Sequence, residues 1–283
     1  MLLPRKRARA RKRARLLNWL SAAALTAGIP AAVIAIPLTL ALTLPNHAAL
    51  AAAATFAALF TATTWLVASP KTQWLVPTVF RGPNRPAVAF TFDDGPDPHT
   101  TPRVLELLDR YKAKATFFVV GFAVDKYPDL VRQIIASGHL VASHSYTHDP
   151  AWHFRTAKSM AHDIERGIDA IERITGQRPQ YFRPPQGLRV PTLRYALERL
   201  PPLTCATWSA RGVDTIGLSA NVVARRITRY LTRGAIVLLH DGSCLAPSRD
   251  RAPTLEALEQ LLRTAAERKF ACVRLDELLE GAG

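Results

Sequence analysis

Five places in this chain carry side chains suited to hydrolytic chemistry. Asp93 and Asp94 stand side by side in Thr91-Phe92-Asp93-Asp94-Gly95-Pro96, where an apolar run meets a Gly-Pro breaker. Adjacent carboxylates repel, and one is pushed towards its neutral form unless a cation offsets the charge; the pair is either an ordinary turn or a charged site. His144 and His148 are four residues apart, so on a helical turn both imidazoles would face one side and share a metal ion. A pair at this spacing also decorates helix surfaces. A carboxylate from another segment would complete a His-His-Asp set, three ligands with a position left for water, as hydrolytic zinc sites require. Arg183, Asp214 and His240-Asp241 are the remaining polar clusters.

Each cluster ends an apolar run that reads as a strand. Runs at 87–90, 115–120, 139–143, 180–183, 203–209, 235–240 and 271–275 are rich in β-branched and aromatic residues. Between them, 102–112, 129–137, 157–175, 190–200, 220–232 and 254–269 show helical spacing of apolar residues. This alternation predicts a parallel sheet covered by helices, either a barrel or a doubly wound sheet. Seven strands point to an irregular, TIM-like β/α barrel, with its active site where the strands end.

The N-terminal third has another character. Eight of the 37 cations fall within residues 1–15, and no Asp or Glu precedes Asp93. The rest of the chain holds 29 cations against 22 anions, ordinary for a globular domain. A basic arm that abuts apolar sequence suits a membrane better than nucleic acid, and no nucleic-acid partner is expected. Runs 16–44 and 48–68 contain no charged residue. Each is long enough to span a bilayer, and together they predict a hairpin of two transmembrane helices in a multi-pass inner-membrane protein. A signal peptide would have a far shorter apolar region; a single span with the Ala-rich second run elsewhere is the third reading. Residues 70–84 read as a linker and 85–283 as the catalytic domain. Three scattered cysteines, Cys205, Cys244 and Cys272, form no disulfide framework.

From about 85 to 279 the motifs resemble the NodB-homology polysaccharide deacetylases of carbohydrate esterase family 4, five motifs in the family's order. The resemblance implies that Asp93 is the general base and Asp94 a metal ligand, and that His144 and His148 of His144-Ser145-Tyr146-Thr147-His148 complete the ligand set. In Arg183-Pro184-Pro185-Gln186-Gly187, Arg183 would orient Asp93, while Pro185, Gln186 and Gly187 form a substrate surface. Trp208 of the fourth motif would also contact substrate. In Leu238-Leu239-His240, Leu238 would line the acyl-methyl pocket and His240 serve as general acid. The chain departs from the family twice: Gln186 replaces an aromatic residue, and Trp208-Ser209-Ala210-Arg211-Gly212-Val213-Asp214 lacks the usual second Asp-Trp. Asp214 is the candidate partner of His240.

The implied cofactor is a divalent ion, zinc before cobalt, nickel or manganese. The implied reaction removes an N-acyl group from an amino sugar in a polysaccharide or glycoconjugate, with membrane lipid as a further partner. A deformylase or deacylase acting on a lipid-linked sugar at the cytoplasmic face is the second reading, and an inactive carbohydrate-binding protein the third. His99 and Trp152-His153-Phe154 read as loop packing, His139 and His162 as structural or solvated. The charge bias predicts a cytoplasmic catalytic domain; a periplasmic or extracellular one is the alternative. A reporter fused after Arg85 should be active in the cytoplasm, and activity confined to the outside would reverse this topology.

Overall fold

The computed structural model describes residues 46–242 and 251–280. The basic arm, the apolar run 16–44 and Cys244 lie outside the described residues. Two compact units are distinguished, a smaller one holding the described residues up to Val76 with Pro150–Ala161 and Leu188–Pro201, and a larger one holding the remainder.

In the smaller unit the second apolar run is one helix, α1 (Asn46–Ala68). Leu50–Ala68 is long and apolar enough to cross a membrane, with a mean hydropathy of 1.7, and none of it is buried. The Thr55 and Thr61 hydroxyls donate to the carbonyls of Ala51 and Ala57, so these polar groups are satisfied within the helix. This is one such helix among the described residues; the first half of the expected hairpin falls outside them. The backbone N–H of Arg189 donates to Val67 O at 3.1 Å, and its guanidinium donates to the carbonyls of Ser69 and Thr72, collecting chain-end carbonyls that have no helical partner.

The larger unit alternates strands and helices: β1 (Ala87–Asp93), α2 (Thr101–Arg110), β2 (Ala115–Val119), α3 (Gly121–Lys126), α4 (Pro128–Ala136), β3 (Leu140–Ser143), α5 (Ala157–Thr175), which begins in the smaller unit, and β4 (Tyr181–Phe182). After α6 (Pro191–Leu197), which belongs to the smaller unit, come β5 (Thr204–Cys205), β6 (Ala210–Arg211), α7 (Ala220–Thr228), β7 (Ile236–His240), α8 (Ala252–Glu267), β8 (Ala271–Cys272) and α9 (Leu275–Glu280). The order is β5-β4-β3-β2-β1-β7-β6, with β8 beside the start of β1, and every strand pair is parallel.

That order forces the sheet to curl. Its edge strands, β5 and β6, are consecutive in sequence, and the five-residue step from Cys205 to Ala210 reaches at most about 17 Å. The edges of a flat seven-strand sheet would lie about 29 Å apart at ~4.8 Å per strand. A curled barrel open between β5 and β6 resolves the choice against a doubly wound sheet.

Side chains alternate about the curled sheet. Val88, Phe90, Phe92, Phe117, Val237 and Leu239 face the helices. Ala89, Phe118, Ala142, Ala206, Ile236 and Leu238 fill the interior with Leu275 and Leu278 of α9. Every residue of β1 is buried, as expected of a parallel strand covered on both faces.

Three local readings need correction. The strand expected over 203–209 is confined to β5 at Thr204–Cys205, with β6 starting only at Ala210, because residues 206–209 bridge the gap in the barrel. A helix, α3, follows β2 directly at Gly121, in the stretch 121–128 to which no element was assigned. Part of the segment read as linker is tied to the sheet, with Val79 bridging Ala206 and Arg81 bridging Ala235.

Candidate active site

Register brings the predicted side chains to one edge of the barrel. Asp93 ends β1 in register with His240 on β7 and Phe118 on β2. Ser143 pairs with Phe182, so His144 and Arg183 leave β3 and β4 at the same level. Residues distant in sequence therefore meet because parallel strands end together.

Arg183 is fully buried. Its Nη1 donates to Asp93 Oδ1 at 2.7 Å and to Thr91 Oγ1 at 2.8 Å, Nη2 donates to Thr207 O at 2.9 Å, and Nε donates to Ala206 O at 3.2 Å. Its guanidinium carbon lies 4.0 Å from the centre of the Phe118 ring. Burial pulls the Arg183 pKa down, and the Asp93 carboxylate opposes that pull. Removing either partner would leave the other charged and buried, which costs about 3–5 kcal/mol in proteins.

Asp94 points elsewhere. Its Oδ1 lies 3.2 Å from His148 Nε2 and 3.5 Å from His144 Nε2, and the three ligand atoms fall within 4.8 Å of one another. No helix presents the two histidines, contrary to the spacing argument. Loop residues Ser145 (φ 68°) and His148 (φ 46°) turn the chain through left-handed conformations, and Asp94 (φ 71°) does the same across from them. Such backbone costs of order 1–3 kcal/mol per residue and collects at functional sites.

The protonation states fit a cation site. His144 Nδ1 lies 2.7 Å from Arg183 O, a contact that needs the proton on Nδ1 and leaves Nε2 free to ligate. Burial, then the charge of His144, holds His148 below the ordinary imidazole range. Burial alone would raise Asp94, but the His144 hydrogen bond and the charges of His240 and His148 hold it well below the usual carboxylate range. A carboxylate oxygen and two imidazole nitrogens within reach of one another are the donor set that a divalent ion binds.

His240 stands across the pocket with Asp214 behind it. Asp214 Oδ1 is 2.9 Å from His240 Nδ1, and its Oδ2 accepts from His240 N–H at 3.0 Å and Thr254 Oγ1 at 3.2 Å. Burial would lower the His240 pKa, yet the charge and hydrogen bond of Asp214 outweigh it and raise it to about 9. Gln186, Trp208 and Leu238 line the same cavity of about 620 Å³. Pro185 and Gly187 are buried and support it. Gly187 adopts φ 70°, and a Cβ there would collide with the Trp208 indole.

Sequence reasoning left some partners unassigned. Thr91 and the carbonyls of Ala206 and Thr207 anchor Arg183, and no side-chain signal marks a carbonyl. Asp241 is wholly buried, accepts from Thr101 Oγ1 at 2.6 Å, and gives its N–H to Asp93 O at 3.2 Å, so it braces the turn after β1. Burial pushes its pKa up to about 7. His139 is structural, accepting from Ala115 N–H at 3.2 Å against the Phe117 ring. His162 is exposed, as is His99.

The polysaccharide deacetylase family model matches residues 81–202. A peptidoglycan-N-acetylglucosamine deacetylase of Bacillus cereus is 34% identical over 207 residues, which is 73% of this chain and 92% of that protein. A chitooligosaccharide deacetylase of a Bradyrhizobium species is 34% identical over 202 residues, 68% of this chain and 90% of its own. Among solved structures, a family 4 carbohydrate esterase of Streptomyces lividans superposes with a TM-score of 0.58 at 32% identity, covering 65% of this chain and 90% of that one. The chain therefore belongs to the polysaccharide deacetylase family, the NodB-homology hydrolases of carbohydrate esterase family 4, which act on non-peptide carbon–nitrogen bonds.

Proposed function

We propose that this protein is a membrane-attached, metal-dependent hydrolase that removes the N-acetyl group from an amino sugar of a glycan such as peptidoglycan or a chitooligosaccharide. The observation that carries the reading is the division of the two carboxylates: Asp93 is bound to Arg183, while Asp94 faces His144 and His148. A divalent ion held by Asp94, His144 and His148, zinc by the nature of these ligands, would supply Lewis acidity for the acyl carbonyl and for water.

The protein's own groups supply the rest. Asp93, oriented by Arg183, accepts the proton of the attacking water. Gln186, Trp208 and Leu238 line the pocket, where the backbone N–H of Gln186 would donate to the developing oxyanion and Leu238 with Trp208 would enclose the acyl methyl. His240 keeps its proton at neutral pH because Asp214 holds Nδ1, so Nε2 is ready to protonate the departing amine. Membrane attachment rests on α1 and on the uncharged run before it. A lipid-linked sugar at the cytoplasmic face is the second reading, favoured by the cations placed before the first apolar run.

Asp93→Asn should reduce deacetylation by at least about 10²-fold, the usual worth of a general base, while zinc binding measured by calorimetry persists. Loss of zinc binding in that variant would reassign the ligands. The acid role sets a pH signature. Because the His240 pKa is raised, the protonated acid persists up to about 9, and a cation at Asp94 opposes part of that elevation. Asp214→Asn removes its main cause, so the alkaline limb of the kcat profile should move down in pH and kcat should fall. An unmoved limb would remove His240 from the acid role.

A further inference from the structure

The turn that presents His144 and His148 holds two non-glycine residues, Ser145 and His148, in left-handed backbone. Backbone of this kind persists only where the surrounding structure over-determines it. Within the turn little does so: His148 N–H donates to Ser145 Oγ at 3.2 Å, and no glycine occurs between the two histidines. The constraint therefore comes from outside the loop, and its sources all lie in the larger unit.

Two helices supply it. In α3, Gly121 N–H donates to Ser145 O at 3.0 Å and Phe122 N–H donates to Tyr146 O at 3.1 Å, so amides that have no helical acceptor are satisfied by the loop. In α5, Asp163 Oδ2 accepts from Tyr146 N–H at 3.3 Å. Tyr146, midway between the histidines, is also gripped by its side chain. The guanidinium carbon of Arg166 on α5 lies 3.8 Å from the centre of its ring, within cation–π range. Its hydroxyl donates to Asp125 Oδ2 of α3 at 3.1 Å, and Asp125 Oδ1 accepts from Arg173 Nη2 of α5 at 2.6 Å. The ring sits directly on the α3 backbone, since a Cβ on Gly121 would come within 2.6 Å of Tyr146 Cδ2. Tyr146 is not among the described residues that line the pocket, so these contacts serve the loop and not a substrate.

We propose that Tyr146 is a positioning residue: gripped between α3 and α5, it sets the 144–148 turn in its ligand-presenting conformation before an ion arrives. The effect on the turn concerns the metal-free chain, and its consequence for zinc rests on the hydrolase reading given above. A turn already set leaves less ordering to be done when the ion binds, which raises affinity without adding a ligand. The ring carries most of the grip. Asp125 and Arg173 are exposed, and exposed ion pairs contribute little.

The test follows the full chain by hydrogen-exchange mass spectrometry without metal, in peptides covering 119–123 and 144–148 with β7 as reference, and by calorimetric zinc affinity. Tyr146→Ala should speed exchange in both peptides, leave β7 unchanged, and weaken zinc binding about tenfold or more, the usual effect of losing support behind a ligand. Tyr146→Phe keeps the ring and should retain most of both properties. Arg166→Gln, at an exposed position, should weaken zinc binding about threefold, the scale of one exposed cation–π contact, and keeps the proposal testable if Tyr146→Ala does not fold. Arg178→Gln is the control. It breaks the 2.6 Å pair with Glu165 on the same helix, and should move neither readout even where it lowers Tm. Unchanged loop exchange or unchanged zinc affinity in Tyr146→Ala, or exchange that rises equally in β7, would overturn the proposal. A native chain that binds no zinc, with a turn that Tyr146→Ala still loosens, would sink the metal-dependent hydrolase reading and leave the positioning role standing. Native zinc binding and turnover that Tyr146→Ala leaves intact would do the reverse.

Discussion

The buried pairing of Arg183 with Asp93 is the constraint on which the rest of the site depends. Arg183 leaves β4, yet its partners are Asp93 and Thr91 of β1, three strands away, and the carbonyls of Ala206 and Thr207 in the gap between β5 and β6. One guanidinium thus crosses the barrel interior and ties its centre to its open seam. Small neighbours make room for it: Ala89, Ala142 and Ala206 lie inward where larger residues would fill the space. The pair is costly to desolvate, and what makes it tenable is that each guanidinium nitrogen finds an acceptor.

The same interaction explains why two carboxylates can be adjacent. A strand residue and its successor point to opposite sides, and the left-handed Asp94 exaggerates the divergence. Asp93 turns inward to Arg183 while Asp94 turns to the histidines, so each negative charge meets its own positive or ligand environment. His144 links the two halves, since one ring nitrogen is fixed by the carbonyl of Arg183 and the other faces Asp94. Parallel register then places His240 beside Asp93, and Asp214 fixes its proton. The side chains proposed as base, ligands and acid all stand where β1, β3 and β7 end, on one edge of the sheet.

Much of this was legible in the residues. The apolar runs of β1, β2, β3 and β7 and the polar clusters that end them follow directly from a parallel sheet buried on both faces. The pairing of Asp214 with His240 was also within reach, since both stand just past apolar runs. Other features were closed to that reasoning. The histidine spacing suggested a helix because four residues make a turn, whereas the geometry comes from left-handed Ser145 and His148, neither of them glycine. The run 203–209 looked like one strand because its composition is uniform, and only the topology shows that its middle must span a gap and lend carbonyls to Arg183. Arg251 carried no signal at all until the fold buried it at the pocket.

The central claim is that Asp94, and not Asp93, belongs to the metal. Zinc-edge anomalous diffraction from zinc-loaded crystals of the full chain addresses it directly. The account predicts one strong peak about 2.0–2.2 Å from an Asp94 carboxylate oxygen and from Nε2 of both His144 and His148, with Asp93 still on Arg183. A peak ligated by Asp93, or no zinc among these three side chains, would contradict it.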